Sequence, residues 1–195
     1  MTKIDRRSGK FNRPEGFRVR EAETATNIKE WKILSYVRQG IVPTSVQKAD
    51  GVKQRRAFSL IDLYQMAVIA RLADDGFDLR VKSPFGGLHR DIESFFRGVY
   101  DPEYGVDDRA EVESEWLDRE SKDQIIVFDM SKKFFGKIID RAELGAEIER
   151  VLAEEKGDLD LFGRNDDDIR SYYILEIDRL LDLVDRRLPT REPEL

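Results

Sequence analysis

Five punctuation signals between residues 36 and 79 limit what this chain can fold into. Gly40 follows a helix-compatible run at 32–39, and glycine is favoured just past a helix C-terminus. Pro43 lies three residues further on and prevents the helix from continuing. Asp50-Gly51 is a hairpin-turn signal between two short arms, 44–49 and 52–58. Ser59 with Asp62 three residues later forms a capping box, with Asp in place of the usual Glu. The run 60–75 that follows carries Leu60, Ile61, Tyr64, Val68 and Leu72 on one broad apolar face, and Gly76 closes it. The order is helix end, hairpin, helix.

The hairpin is basic, with Gln47, Lys48, Lys53, Gln54, Arg55 and Arg56. Upstream, 19–26 is long enough for one or two helical turns, and Thr26 or Asn27 can cap a helix over 28–39. Tyr36, Gly40, Ile41, Val42 and Pro43, then Arg56, Phe58 and Ser59, then Asp62, Leu63, Leu72, Gly76, Phe77 and Leu79 recur in the order and spacing of a known pattern. This stretch resembles the DNA-binding domain of MerR-type transcriptional regulators. Val19-Arg20-Glu21-Ala22 and Thr26-Asn27-Ile28 can be laid on that family's first helix and turn.

The resemblance implies a mainly α fold with a small β wing: an N-terminal winged helix-turn-helix over 19–83, followed by a mostly helical α+β module. It implies a recognition helix at 28–39 lying in the major groove, with Lys29, Lys32, Ser35, Tyr36 and Arg38 towards duplex DNA. It implies a wing at 44–58 whose Lys48, Lys53, Arg55 and Arg56 meet phosphates. It also implies a homodimer reading an inverted repeat. Three departures stand out. Leu34 occupies the place of a usual Arg, Ser35 replaces the first of two tyrosines, and Trp31 stands where a polar or basic residue is common. Trp31 and Leu34 favour another reading, a protein-interaction adaptor similar to the MerR-like chaperone modulators that bind J-domain proteins.

Charge is distributed unevenly along the 195 residues. Residues 1–90 hold 18 Lys and Arg against 10 Asp and Glu, whereas 91–195 hold 16 against 30, for a net charge of −6. Such asymmetry suggests a half that faces nucleic acid and a half with another task. Residues 1–18 contain six Lys or Arg and read as a flexible basic arm.

Several function classes find no support. No stretch nears the roughly 20 apolar residues of a membrane helix. The basic N-terminus lacks the apolar core of a secretory signal. Without Cys there is no disulfide or thiolate metal site, which fits a cytoplasmic, nucleoid-associated protein. The single histidine, His89, cannot build a His-based metal or catalytic cluster within one chain. No phosphate-cradling glycine loop is present, so neither a catalytic centre nor a cofactor is expected.

Beyond a boundary at 84–87, residues 88–195 read as an acidic dimerisation or effector module, with an unknown effector or protein as a further partner. Residues 88–100 fit a three-turn helix, and 101–123 a linker or a strand pair around 112–117. Residues 124–130 fit a β-branched strand, and 132–155 a helical run. Asp166-Asp167-Asp168 could bind a hard cation, but carboxylates also complement the start of a helix. The last helix, 168–188, has apolar spacings of three and four that suit a dimer contact, its own domain's core, or both.

Overall fold

The computed structural model describes residues 6–7, 10–44, 56–79, 88–101, 105–119, 124–129, 135–146, 149 and 172–189. The described residues are mainly helical, with three small antiparallel sheets. The chain divides into two units, Met1–Glu120 with Arg179–Leu195, and Ser121–Asp178.

In the first unit, strand β1 (Phe17–Arg18) leads directly into helix α1 (Val19–Thr26). Helix α2 (Glu30–Arg38) follows after a three-residue turn. The expected N-cap for the second helix is displaced. Asn27 closes α1 instead, at φ 60° and ψ 24°, with its N–H bonded to Glu23 O at 2.8 Å. Asn is among the few non-glycine residues that tolerate this left-handed conformation. Thr26 turns its hydroxyl back onto Ala22 O at 2.6 Å, so Lys29 becomes the N-cap and offers no side-chain acceptor. Gly40 ends the α2 region at φ 69°, as its position after the helix requires.

Strand β2 (Ala57–Phe58) pairs antiparallel with β1, Phe17 opposite Phe58 and Arg18 opposite Ala57. Both phenylalanines are buried, each worth about 1.5–3 kcal/mol on transfer from water. Helix α3 (Leu60–Asp74) starts at the predicted capping box. Asp62 N donates to Ser59 Oγ at 3.1 Å, and Ser59 N donates to Asp62 Oδ2 at 2.8 Å. Twelve of its 15 residues are buried, so α3 is a core helix apolar on nearly every side.

Helix α4 (Leu88–Arg97) packs on α3, and helix α5 (Arg109–Asp118) packs on α4. Between them, strands β3 (Tyr100–Asp101) and β4 (Val106–Asp107) form a minimal hairpin. The region around 112–117, read as linker or strands, is therefore helical. Ala, Glu and Leu favour helix there, and the turn buries Trp116 against Phe96, ring centroids 4.7 Å apart. Trp116 Nε1 donates to Phe95 O at 2.6 Å. Arg97 of α4 bonds the buried Asp62 carboxylate and reaches Glu113 of α5 at 3.0 Å. These contacts tie the three helices together at the α3 cap.

Helix α6 (Ile177–Arg187) corrects the domain plan, because its residues from Arg179 onward belong to the first unit. Leu181, Val184 and Leu188 are buried in the chain's own fold, so the stripe assigned to a dimer contact is already covered. The segment read as a flexible basic arm is also engaged wherever it is described. Arg6 is 2% exposed and donates to Asp185 Oδ2 at 2.9 Å, Tyr64 Oη at 3.0 Å and Arg119 O at 2.8 Å. Arg7 pairs with Asp118 at 2.6 Å, Lys10 Nζ donates to Asp185 O, and Arg13 binds Glu21 and Pro189 O. Partners within the fold engage these cations, with Arg6 buried and the Arg7–Asp118 pair at the surface.

In the second unit, β5 (Gln124–Asp129) is the central strand of a sheet ordered β6-β5-β7. Strand β6 spans Phe135–Asp140 and β7 spans Tyr172–Leu175, both antiparallel to β5. Ile125, Ile126 and Val127 are all buried, so β5 is covered on both faces. Two sequence expectations fail here. The helical run at 132–155 contains β6, and the helix at 168–188 contains β7 before α6 begins at Ile177. Apolar pairs such as Ile138-Ile139 and Tyr172-Tyr173 fit either period, and hydrogen bonding to β5 decides for strand. Gln124 N donates to the buried Asp178 carboxylate at 2.8 Å.

The hairpin region 45–55, the boundary at 84–87 and the triple-Asp cluster lie outside the described residues.

Candidate nucleic-acid interface

Helix α2 presents two faces with different chemistry. Ile33 and Tyr36 are buried on the inner face. At 100° per residue, Trp31 and Arg38 fall opposite them, with Leu34 and Ser35 beside. Trp31 is 71% exposed, and Arg38 is exposed at the helix C-terminus, where a cation complements the dipole. Seven residues of helix separate these two by about 10 Å along the axis.

The predicted contact residues on this helix therefore part company. Lys29 is exposed at the N-cap, with only a 3.5 Å pair to Glu23, an arrangement that typically contributes little. Lys32 is tied to Asp74 of α3 at 2.6 Å and lies 5.8 Å from the Tyr36 ring centroid. The Asp74 hydrogen bond pushes the Lys32 pKa upward, so its charge is secure but partnered. Tyr36 is a core residue, and burial raises its phenol above the ordinary value. Ser35 is half-buried and its Oγ accepts from Gln39 Nε2 at 2.8 Å. Of the five, Lys29 and Arg38 remain outward, and Ser35 flanks them.

Lys48, Lys53 and Arg55 lie outside the described residues. Arg56 immediately precedes β2 and is half-buried. Antiparallel pairing sets the exposed Arg18 opposite Ala57, next to Arg56. Sequence reasoning missed Arg18, because β1 is too short to leave a periodic signal. It weighed Trp31 for a protein partner and kept it out of the DNA-contact set, although the ring is 71% exposed on the outer face of α2.

Overall charge does not single out a nucleic-acid half. The first unit holds 25 Lys and Arg against 25 Asp and Glu, and the second holds 9 against 15. The basic excess of residues 1–90 is offset within its own fold by α4, α5 and their loops. Near α2, among the described residues, Lys29 and Arg38 are exposed on the helix, and exposed Arg18 stands beside half-buried Arg56 at the strand pair.

An open cleft of about 700 Å³ between α4 and α5 offers less. Arg97 in its wall is held by Asp62 and Glu113, and Arg109 by Asp107 at 2.8 Å. Among the described residues, no three His, Asp or Glu side chains converge to hold a metal ion. No described helix is long and apolar enough to cross a membrane. The chain matches no protein-family model and no curated protein.

Proposed function

We propose that this protein is a non-enzymatic DNA-binding transcriptional regulator of the cytoplasm, acting on duplex DNA as a homodimer through α2 and a basic wing. The observation that carries the reading is the helix–turn–helix formed by α1 and α2, with the outer face of α2 uncovered. The β1–β2 pair and α3 behind it agree with a MerR-like winged helix. The exposed Lys29 and Arg38 suit phosphates at either end of a groove, and Arg18 and Arg56 suit the backbone beside it.

One observation favours the second reading, an adaptor that binds a protein: a 71% exposed tryptophan on the same face.

A salt titration of the full chain with random-sequence duplex separates the two. Regulators making several phosphate contacts lose affinity steeply between about 50 and 200 mM salt. A flat response, or no binding at the lowest salt, rejects the DNA reading. Light scattering at micromolar concentration tests the dimer.

A further inference from the structure

We propose that Trp31 sets the sequence specificity of the α2 face by packing its indole against the 5-methyl group of a thymine. The inference rests on the DNA-binding reading above and adds to it a residue and a base.

Trp31 is the most exposed large apolar side chain among the described residues, at 71%. The other tryptophan behaves as a folded chain normally requires: Trp116 is 7% exposed and its Nε1–H is bonded. Among the described residues, the Trp31 ring makes no hydrogen bond or aromatic contact. It lies opposite the buried Ile33 and Tyr36, so it stands at the centre of the outward face rather than at its rim.

The surroundings narrow the partner. A stable protein interface covers about 800 Å² on each side. Here the exposed apolar surface reduces to one ring, since Leu34 and Val37 are half-buried. A single apolar ring between outward cations, Lys29 before it and Arg38 after it, matches a groove lined by phosphates with apolar points on its floor. Glu30 is exposed next to the ring and repels phosphate, which directs this part of the helix towards base edges. In the major groove the thymine methyl is the apolar feature, and apolar side chains read it.

The test is selection from a random duplex library with the full-length wild type and with Trp31→Ala, followed by affinity measurements on the enriched site. The side chain is exposed, so the variant should keep its fold, which circular dichroism checks. The wild type should enrich a site with thymine at one position that Trp31→Ala leaves degenerate. Deoxyuracil at that position, which removes only the methyl, should weaken wild-type binding several-fold and leave Trp31→Ala unaffected. Trp31→Phe, which keeps an apolar ring, should retain the thymine. Identical enriched sites for wild type and Trp31→Ala, or unchanged wild-type affinity for the uracil duplex, would overturn the inference and leave the DNA reading standing. No enrichment by the wild type at any salt would overturn both.

Discussion

Tyr64 donates its phenolic proton to Asp185 Oδ1 at 2.5 Å, joining α3 to α6 across 121 residues of sequence. The same carboxylate receives Arg6 at 2.8 Å and Arg119 at 3.2 Å, and Arg119 also reaches Asp182 at 3.0 Å. Asp185, Arg6 and Arg119 are each less than a tenth exposed. Four segments of the first unit meet at one buried anion, and its removal would leave the Arg6 guanidinium without its nearest counter-charge and take one of two carboxylates from Arg119.

Asp185→Ala should therefore destabilise the first unit by about 3–5 kcal/mol, the usual effect of breaking a buried pair from one side. Urea unfolding followed by Trp116 fluorescence measures it. A change under about 1 kcal/mol, the range of an exposed pair, would mean that water replaces the carboxylate.

Stability should also fall on the alkaline side. Burial, followed by the adjacent Asp185 charge, raises the Tyr64 pKa well above its ordinary value of 10.0. Above that value the unfolded chain releases the phenol proton while the folded chain retains it, so stability falls as pH rises. Tyr36, also raised by burial, adds in the same direction. Tyr64→Phe should reduce the slope of stability against pH above about 10 without abolishing it. An unchanged slope would assign the alkaline limb to other groups.

Truncation before α6 should unfold the first unit rather than release a folded monomer. Leu181, Val184 and Leu188 would leave its core, and Arg6 and Arg119 would lose Asp185 and Asp182. Circular dichroism of residues 1–176 is the check. A folded, cooperative fragment would show that the α6 contacts are dispensable.

Gln65 is fully buried on α3, and neither its side-chain oxygen nor its nitrogen has a hydrogen-bond partner among the described residues. An unsatisfied buried amide costs about 1–3 kcal/mol, so Gln65→Met, similar in length, should hold or raise the unfolding midpoint. A loss above about 1.5 kcal/mol, beyond a tolerated volume-conserving swap, would point to an ordered water bonded to the amide.

Asp74→Asn should raise affinity for duplex DNA with little effect on stability. The Lys32–Asp74 pair is partly exposed, at 28% and 66% of its side chains, and such pairs contribute about 0–1 kcal/mol. Its loss removes a negative charge and frees a cation beside the outer face of α2. The log–log salt slope should steepen by about one. Unchanged affinity and slope would place Lys32 outside the interface.

Local signals were enough where a few neighbouring residues decide the backbone. The Ser59–Asp62 capping box, the helix it opens, Gly40 past α2 and the β-branched strand at Gln124–Asp129 all follow from propensities within one or two turns. Tertiary structure decided the rest, because the deciding partners are distant in sequence. Phe135–Asp140 and Tyr172–Leu175 became strands only by bonding to β5. Residues 109–118 became a helix that buries Trp116 on α4. Arg6 of the basic N-terminal segment became part of a core because Asp182 and Asp185 come from residues far along the chain. Sequence alone determined which residues carry charge. The fold determined which charges are already paired, because a Coulomb energy depends on the distance and burial of its two groups, not on their separation along the chain. That difference leaves Trp31, Arg38 and Lys29 facing outward while Lys32 and Tyr36 turn to Asp74 and the core.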